Sequence, residues 1–113
     1  MTSGEMCVAL VAVLNSARGA DRWSGTCWKS PSEAIPPCDR FCAEIRLSHV
    51  APADECEEVY ALGQGGNKEH AWRECLRDWL DRSASDLRVP PCVRSASAEE
   101  LELKLAAVRG GGR

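Results

Sequence analysis

The chain has 113 residues, 44% of them apolar and 27% charged, with a formal net charge of -3. That length suits one domain that buries roughly 65% of its unfolded surface, and the composition is globular rather than disordered. The acidic balance counts against nucleic acid as a partner, because a phosphate-binding surface needs clustered Lys and Arg. Arg73, Arg77, Arg82, Arg88 and Arg94 do cluster, but Glu74, Asp78, Asp81 and Asp86 interleave with them and cancel their field.

The first element is the apolar run "MCVALVAVL", Met6 to Leu14. It is shorter than the ~20 residues a membrane-spanning helix needs, so the chain is not expected to cross a bilayer. Its length also suits a signal-peptide core, with Ala17-Arg18-Gly19 as a small-x-small cleavage pattern, but no Lys or Arg precedes it. The favoured reading of residues 1–19 is therefore a short buried helix carrying one thiol, Cys7. Residues 20–36 contain Trp23, Cys27 and Trp28 among Gly, Ser and Pro, and are expected to be an irregular loop clamped to a helical bundle. Loop tryptophans make good contact residues, so Trp23 and Trp28 are the interface candidates.

Residues 37–62 are expected to be a helical hairpin. Cys38, Phe41, Cys42 and Ile45 fall at i, i+3, i+4, i+7, and Pro36-Pro37 can open a helix. Pro52 breaks the pattern; Cys56, Val59 and Tyr60 resume it, and Gly63, Gly65 and Gly66 end it. Trp72, Cys75, Leu76, Trp79 and Leu80 form the next stripe, giving an amphipathic helix over 67–82 with Asn67 as N-cap. Ser97 and Glu100 form a capping-box pattern ahead of Leu101, Leu105 and Val108, giving a C-terminal helix over 97–109 before a frayed tail at 110–113. No internal repeat of long period appears. These elements predict an all-α fold: a small disulfide-stapled bundle of four to five short helices with an irregular loop in its N-terminal third.

Seven cysteines in so short a chain point to an oxidising compartment or a metal. Six of them, Cys27, Cys38, Cys42, Cys56, Cys75 and Cys92, are disulfide candidates; Cys7 is the odd one. Across a helical hairpin Cys42 and Cys56 can face each other, and their bond would close a 15-residue loop worth about 3 kcal/mol. Six cysteines allow 15 connectivities, so the rest of the map stays open. Alternatively, Cys38, Cys42, His49 and Cys56 have the ligand types of a structural zinc site, although tight zinc turns use shorter spacings. His49 and His70 otherwise read as surface residues near helix ends.

Cys38-x3-Cys42 followed by Cys56 resembles the twin CX3C helical hairpin of small proteins oxidised in the mitochondrial intermembrane space. "EHAWRECL" is similar to the second helix of their CX9C relatives. The likeness spans 37 to 62, and Tyr60 stands where the family has its fourth cysteine. It implies an accessory subunit or assembly factor held by disulfides in that compartment or another organelle lumen. Phe41-Cys42, Pro52, Glu55-Cys56 and Tyr60 also resemble the C-terminal cysteine loop of the chloroplast regulator CP12, which implies a redox switch, but the family's Ala-Trp element lies before its loop and Ala71-Trp72 lies after.

No HExxH, GxSxG or P-loop pattern is present, and the adjacent pairs Glu57-Glu58 and Glu99-Glu100 suit solvated faces. The expectation is a non-enzymatic accessory subunit with other protein subunits as partners and no cofactor. The alternatives are a secreted cysteine-rich signalling or effector protein, and a small zinc-binding domain.

Overall fold

A computed structural model describes residues 2–16, 21–50 and 55–110. The elements run α1 (Ser3–Ser16), β1 (Asp21–Lys29), a 3-10 turn (Pro37–Asp39), β2 (Phe41–Val50), β3 (Glu55–Gly65), α2 (Lys68–Ser83) and α3 (Ala98–Gly110). The strands form one antiparallel sheet in the order β1-β2-β3. The fold is therefore mixed α/β, and the all-α expectation is corrected. The loop expected at 20–36 contains β1, and the helical hairpin expected at 37–62 is a β-hairpin.

The reason lies in two periodicities that overlap in "FCAEIRLSHV". The helical spacing of Phe41, Cys42 and Ile45 competes with strict alternation, in which Phe41, Ala43, Ile45 and Leu47 share one face while Cys42, Glu44, Arg46 and Ser48 share the other. Burial follows the alternation: Ala43, Ile45 and Leu47 are fully buried in the core, on the side of the sheet where α2 packs on β2. Trp23 and Cys27 of β1 and Ala61 of β3 join that inner face. A register shift between Ile45 and Arg46 leaves Tyr60 opposite no residue of β2, so Tyr60 and Ala61 both pack inward although they are consecutive. Tyr60 then meets Trp23 edge to face, with ring centroids 4.9 Å apart.

The glycines read as a helix stop are strand residues with a packing role. A Cβ on Gly63 would lie 2.1 Å from the Cys75 nitrogen, and one on Gly65 would lie 2.8 Å from the Ala71 nitrogen. The α2 backbone thus rests directly on β3. Trp72 reaches from α2 beneath α1, 3.2 Å from a Cβ on Gly4 and 3.4 Å from one on Gly25. Asn67 caps α2 by accepting from the His70 amide at 2.8 Å. The apolar run 6–14 lies in α1, where Met6, Cys7, Leu10 and Leu14 are buried. Ser97 Oγ accepts from the Glu100 amide at 3.2 Å, and Glu100 accepts from the Ala96 amide at 2.9 Å, which together open α3. Leu101 and Leu105 of α3 are buried, and the helix packs against α1 and α2.

A six-residue pattern occurs twice, as Ile35-Pro36-Pro37-Cys38-Asp39-Arg40 and Val89-Pro90-Pro91-Cys92-Val93-Arg94. Both copies build the same bend. Asp39 N donates to Pro36 O at 2.9 Å, and Val93 N donates to Pro90 O at 3.2 Å. Arg40 Nη2 reaches back to Ile35 O at 3.3 Å, and Arg94 Nη2 reaches back to Val89 O at 2.7 Å. In both guanidinium groups Nε is buried without a hydrogen-bond partner. Both cysteines are exposed at the crest of the bend.

Candidate functional site

The helices cover one face of the sheet. On the other face the register lines up Trp28, Cys42 and Gln64, then Thr26, Glu44 and Leu62, then Ser24, Arg46 and Val59. No described helix packs there. Trp28, Val59 and Leu62 are 40%, 45% and 46% exposed. Glu44 is buried between them and bonded to Arg46, which also reaches Glu57 at 3.4 Å. The two carboxylates hold the Arg46 guanidinium above its ordinary pKa, the Glu44 hydrogen bond acting most strongly. Gln64 Nε2 donates to Cys42 Sγ at 3.7 Å. This face therefore offers an apolar rim around a fixed internal charge, a pattern suited to docking a macromolecule.

The sheet edges are treated differently. At β1, the Asn15 side chain from α1 accepts from Trp23 N at 2.7 Å and donates to Trp23 O at 2.8 Å. At β3, the Asp78 carboxylate from α2 accepts from Leu62 N at 3.0 Å. Neither Asn15 nor Asp78 stands out in the sequence, because a cap of this kind depends on where a helix lies beside a strand.

Of the expected interface residues, Trp28 lies on the open face, whereas Trp23 is a core residue, 5% exposed. The cysteines are dispersed. Cys7, Cys42 and Cys75 are buried, Cys27 is half-buried, Cys38 and Cys92 are exposed, and all six are free thiols. The disulfide-stapled reading is thus corrected for the described residues. The geometry is explicit for Cys42 and Cys56: Cys42 stands opposite Gln64, and Cys56 stands opposite His49. Seven residues of strand, roughly 23 Å, separate the two positions, far beyond disulfide reach. The side chains of His49 and Cys56 lie outside the described residues, as do Ala17 to Gly19 and Pro52. Among the described residues, no group of three His, Cys, Asp or Glu is placed to hold a metal ion. Cys38 leads into β2 from an exposed bend, while Cys42 points to the open face.

Burial pushes the Cys7 thiol up to about 12, with Glu69 and Cys27 adding to it. Burial also raises Cys75, whose Sγ donates to Ala61 O at 3.6 Å. Neither is a ready nucleophile, since thiolates react and thiols do not. A second polar group lies beyond α2. Tyr60 Oη donates to Asp86 at 2.7 Å, and Arg88 bonds both Asp86, at 2.9 Å, and Glu58, at 3.0 Å. The Arg88 hydrogen bonds, aided by Tyr60, hold the Asp86 carboxyl well below the usual carboxylate range, while burial and Asp86 push the Tyr60 phenol up. These residues tie β3 to the bend at Val89–Arg94 and serve the fold.

No helix among the described residues is long and apolar enough to cross a membrane. The segment compared with the twin-cysteine helical hairpins, and with the CP12 loop, is a β-hairpin, so neither resemblance stands. No family model, no curated protein and no solved structure matches this chain.

Proposed function

We propose that this protein is a non-catalytic accessory subunit that binds another protein through the uncovered face of its sheet. The observation that carries the reading is the trio Trp28, Val59 and Leu62, about half exposed around the buried, ion-paired Glu44. A soluble fold gains nothing from displaying these three side chains together, whereas a partner that covers them gains apolar burial and an oriented charge. The electrostatics of α2 favour protein over nucleic acid. Arg73, Arg77 and Arg82 lie 3.9, 3.9 and 3.1 Å from Glu69, Glu74 and Asp78, which leaves little uncompensated field for phosphate.

The test is comparative capture from native material with the wild-type chain and a Val59→Ser/Leu62→Ser double variant. Proteins retained by the wild type should be lost from the double variant while its circular dichroism stays unchanged. An identical retained set, at equal yield, would sink the reading.

A further inference from the structure

The β1 edge has its own hydrogen-bonding logic. Ser30 N donates to Arg40 O at 2.7 Å, so Ser30 and Arg40 form a hydrogen-bonded pair in the register that continues Lys29↔Phe41. By alternation, Trp28, Thr26, Ser24 and Arg22 direct their backbone groups to β2, and Lys29, Cys27, Gly25 and Trp23 direct theirs to the open edge. Trp23 agrees with this parity: its N–H and C=O both point outward and are held by Asn15. The Asn15 carboxamide is chemically a peptide group, and it occupies the place that the first residue of a fourth strand would take. Gly25, Cys27 and Lys29 continue the same row, and no described residue bonds their outward backbone groups. Around this row Arg22, Lys29 and Lys68 have no ion pair among the described residues; Lys29 lies over the Phe41 ring at 5.9 Å.

We infer that the edge from Gly25 to Lys29 takes an extended acidic segment of a partner protein as an added strand. The inference rests on the protein-binding reading and names its mode and chemistry. Backbone hydrogen bonds supply the recognition, and Lys29 and Lys68, the latter within electrostatic reach of Cys27, select acidic side chains. Asn15 fixes the register by blocking the row at Trp23.

The probe is a synthetic peptide of three Glu-Val repeats, blocked at both ends, titrated into the isotopically labelled full chain. The amides of Gly25, Cys27 and Lys29 should shift and exchange more slowly. A peptide N-methylated at alternate residues should bind at least tenfold more weakly, and so should a Lys-Val peptide. Lys29→Glu should weaken the Glu-Val peptide by about tenfold or more. Cys27→Pro should abolish binding while keeping the β1–β2 ladder, since its lost N–H faces the edge. No shift at these three amides at millimolar peptide, or equal binding by the N-methylated peptide, overturns the inference. Shifts confined to Val59 and Leu62 overturn it too, but leave the sheet-face reading standing.

Discussion

The two faces of this sheet are built from the same three strands and have opposite economies of space. On the inner face Gly25, Ala43, Ala61, Gly63 and Gly65 are small because helices lie directly on them, and Cys75, Leu76 and Trp79 of α2 fill what remains. On the outer face no described helix packs, and Trp28, Val59, Leu62 and Arg46 stand there beside Ser24 and Thr26. The difference teaches that glycine inside a strand marks the side of this sheet on which helices rest: a Cβ on Gly25, Gly63 or Gly65 would meet α1 or α2, whereas the half-exposed Trp28 lies on the side that no described helix covers.

The comparison breaks most sharply at Gly63. Gly63→Val places carbon where the Cys75 nitrogen and the Ala71 oxygen lie, 2.1 and 2.3 Å from a Cβ, so α2 must lift from the sheet. Overpacking against backbone should cost about 3 kcal/mol or more, read as a collapse of the cooperative thermal transition. Trp79→Ala, also on the inner side, should cost about 3–5 kcal/mol in denaturant unfolding. It removes a fully buried indole whose Nε1 has no partner, so no hydrogen bond is lost with it.

A smaller effect should come from Tyr60→Phe, which leaves the ring against Trp23 and deletes one bond to Asp86. About 1 kcal/mol is expected in the same measurement. Acid sharpens this case. Because Asp86 titrates lower folded than unfolded, its stabilisation is fully present above the unfolded value near 3.8 and is lost as pH falls through the lower folded value. The acid-unfolding slope below pH 4 should therefore flatten in Asp86→Asn. On the outer face, Val59→Ser and Leu62→Ser should each change stability by no more than about 0.5 kcal/mol. Equal costs on the two faces would erase the distinction.

The sequence makes α2 and α3 legible because local rules suffice for them: Asn67 and Ser97 cap, Glu100 answers Ser97, and the apolar stripes repeat at helical spacing. The sheet is less legible for reasons that can be named. Phe41 and Ile45 satisfy both periods at once, Cys42 fits only the helical stripe, and the outward Glu44 and Arg46 decide for the strand. Gly25 and Gly63 resemble breaks in the chain when their cause is a helix lying against them. Tyr60 and Ala61 hide the alternation of β3 because a bulge turns both inward. Cysteine number suggested bridges, yet strand register carries Cys42 and Cys56 to opposite ends of the hairpin. Of the open face, the sequence names Trp28 only as a loop aromatic beside Trp23, which the strand turns inward, while Val59 and Leu62 become neighbours of Glu44 only through pairing. The Pro-Pro-Cys-x-Arg pattern at 36–40 and 90–94 is too short to register as a repeat until its two copies are seen to build the same arginine-clasped bend.

The Asp78 carboxylate on the Leu62 amide has a consequence for assembly. A strand that seeks the β3 side meets an anion already seated on that N–H and the irregular backbone at Tyr60. Each border therefore carries a seated side chain among the described residues, Asp78 on the Leu62 amide of β3 and Asn15 on both backbone groups of Trp23 of β1. A strand joining the β3 side would have to displace that carboxylate first, which hinders edge-to-edge stacking of copies at this border.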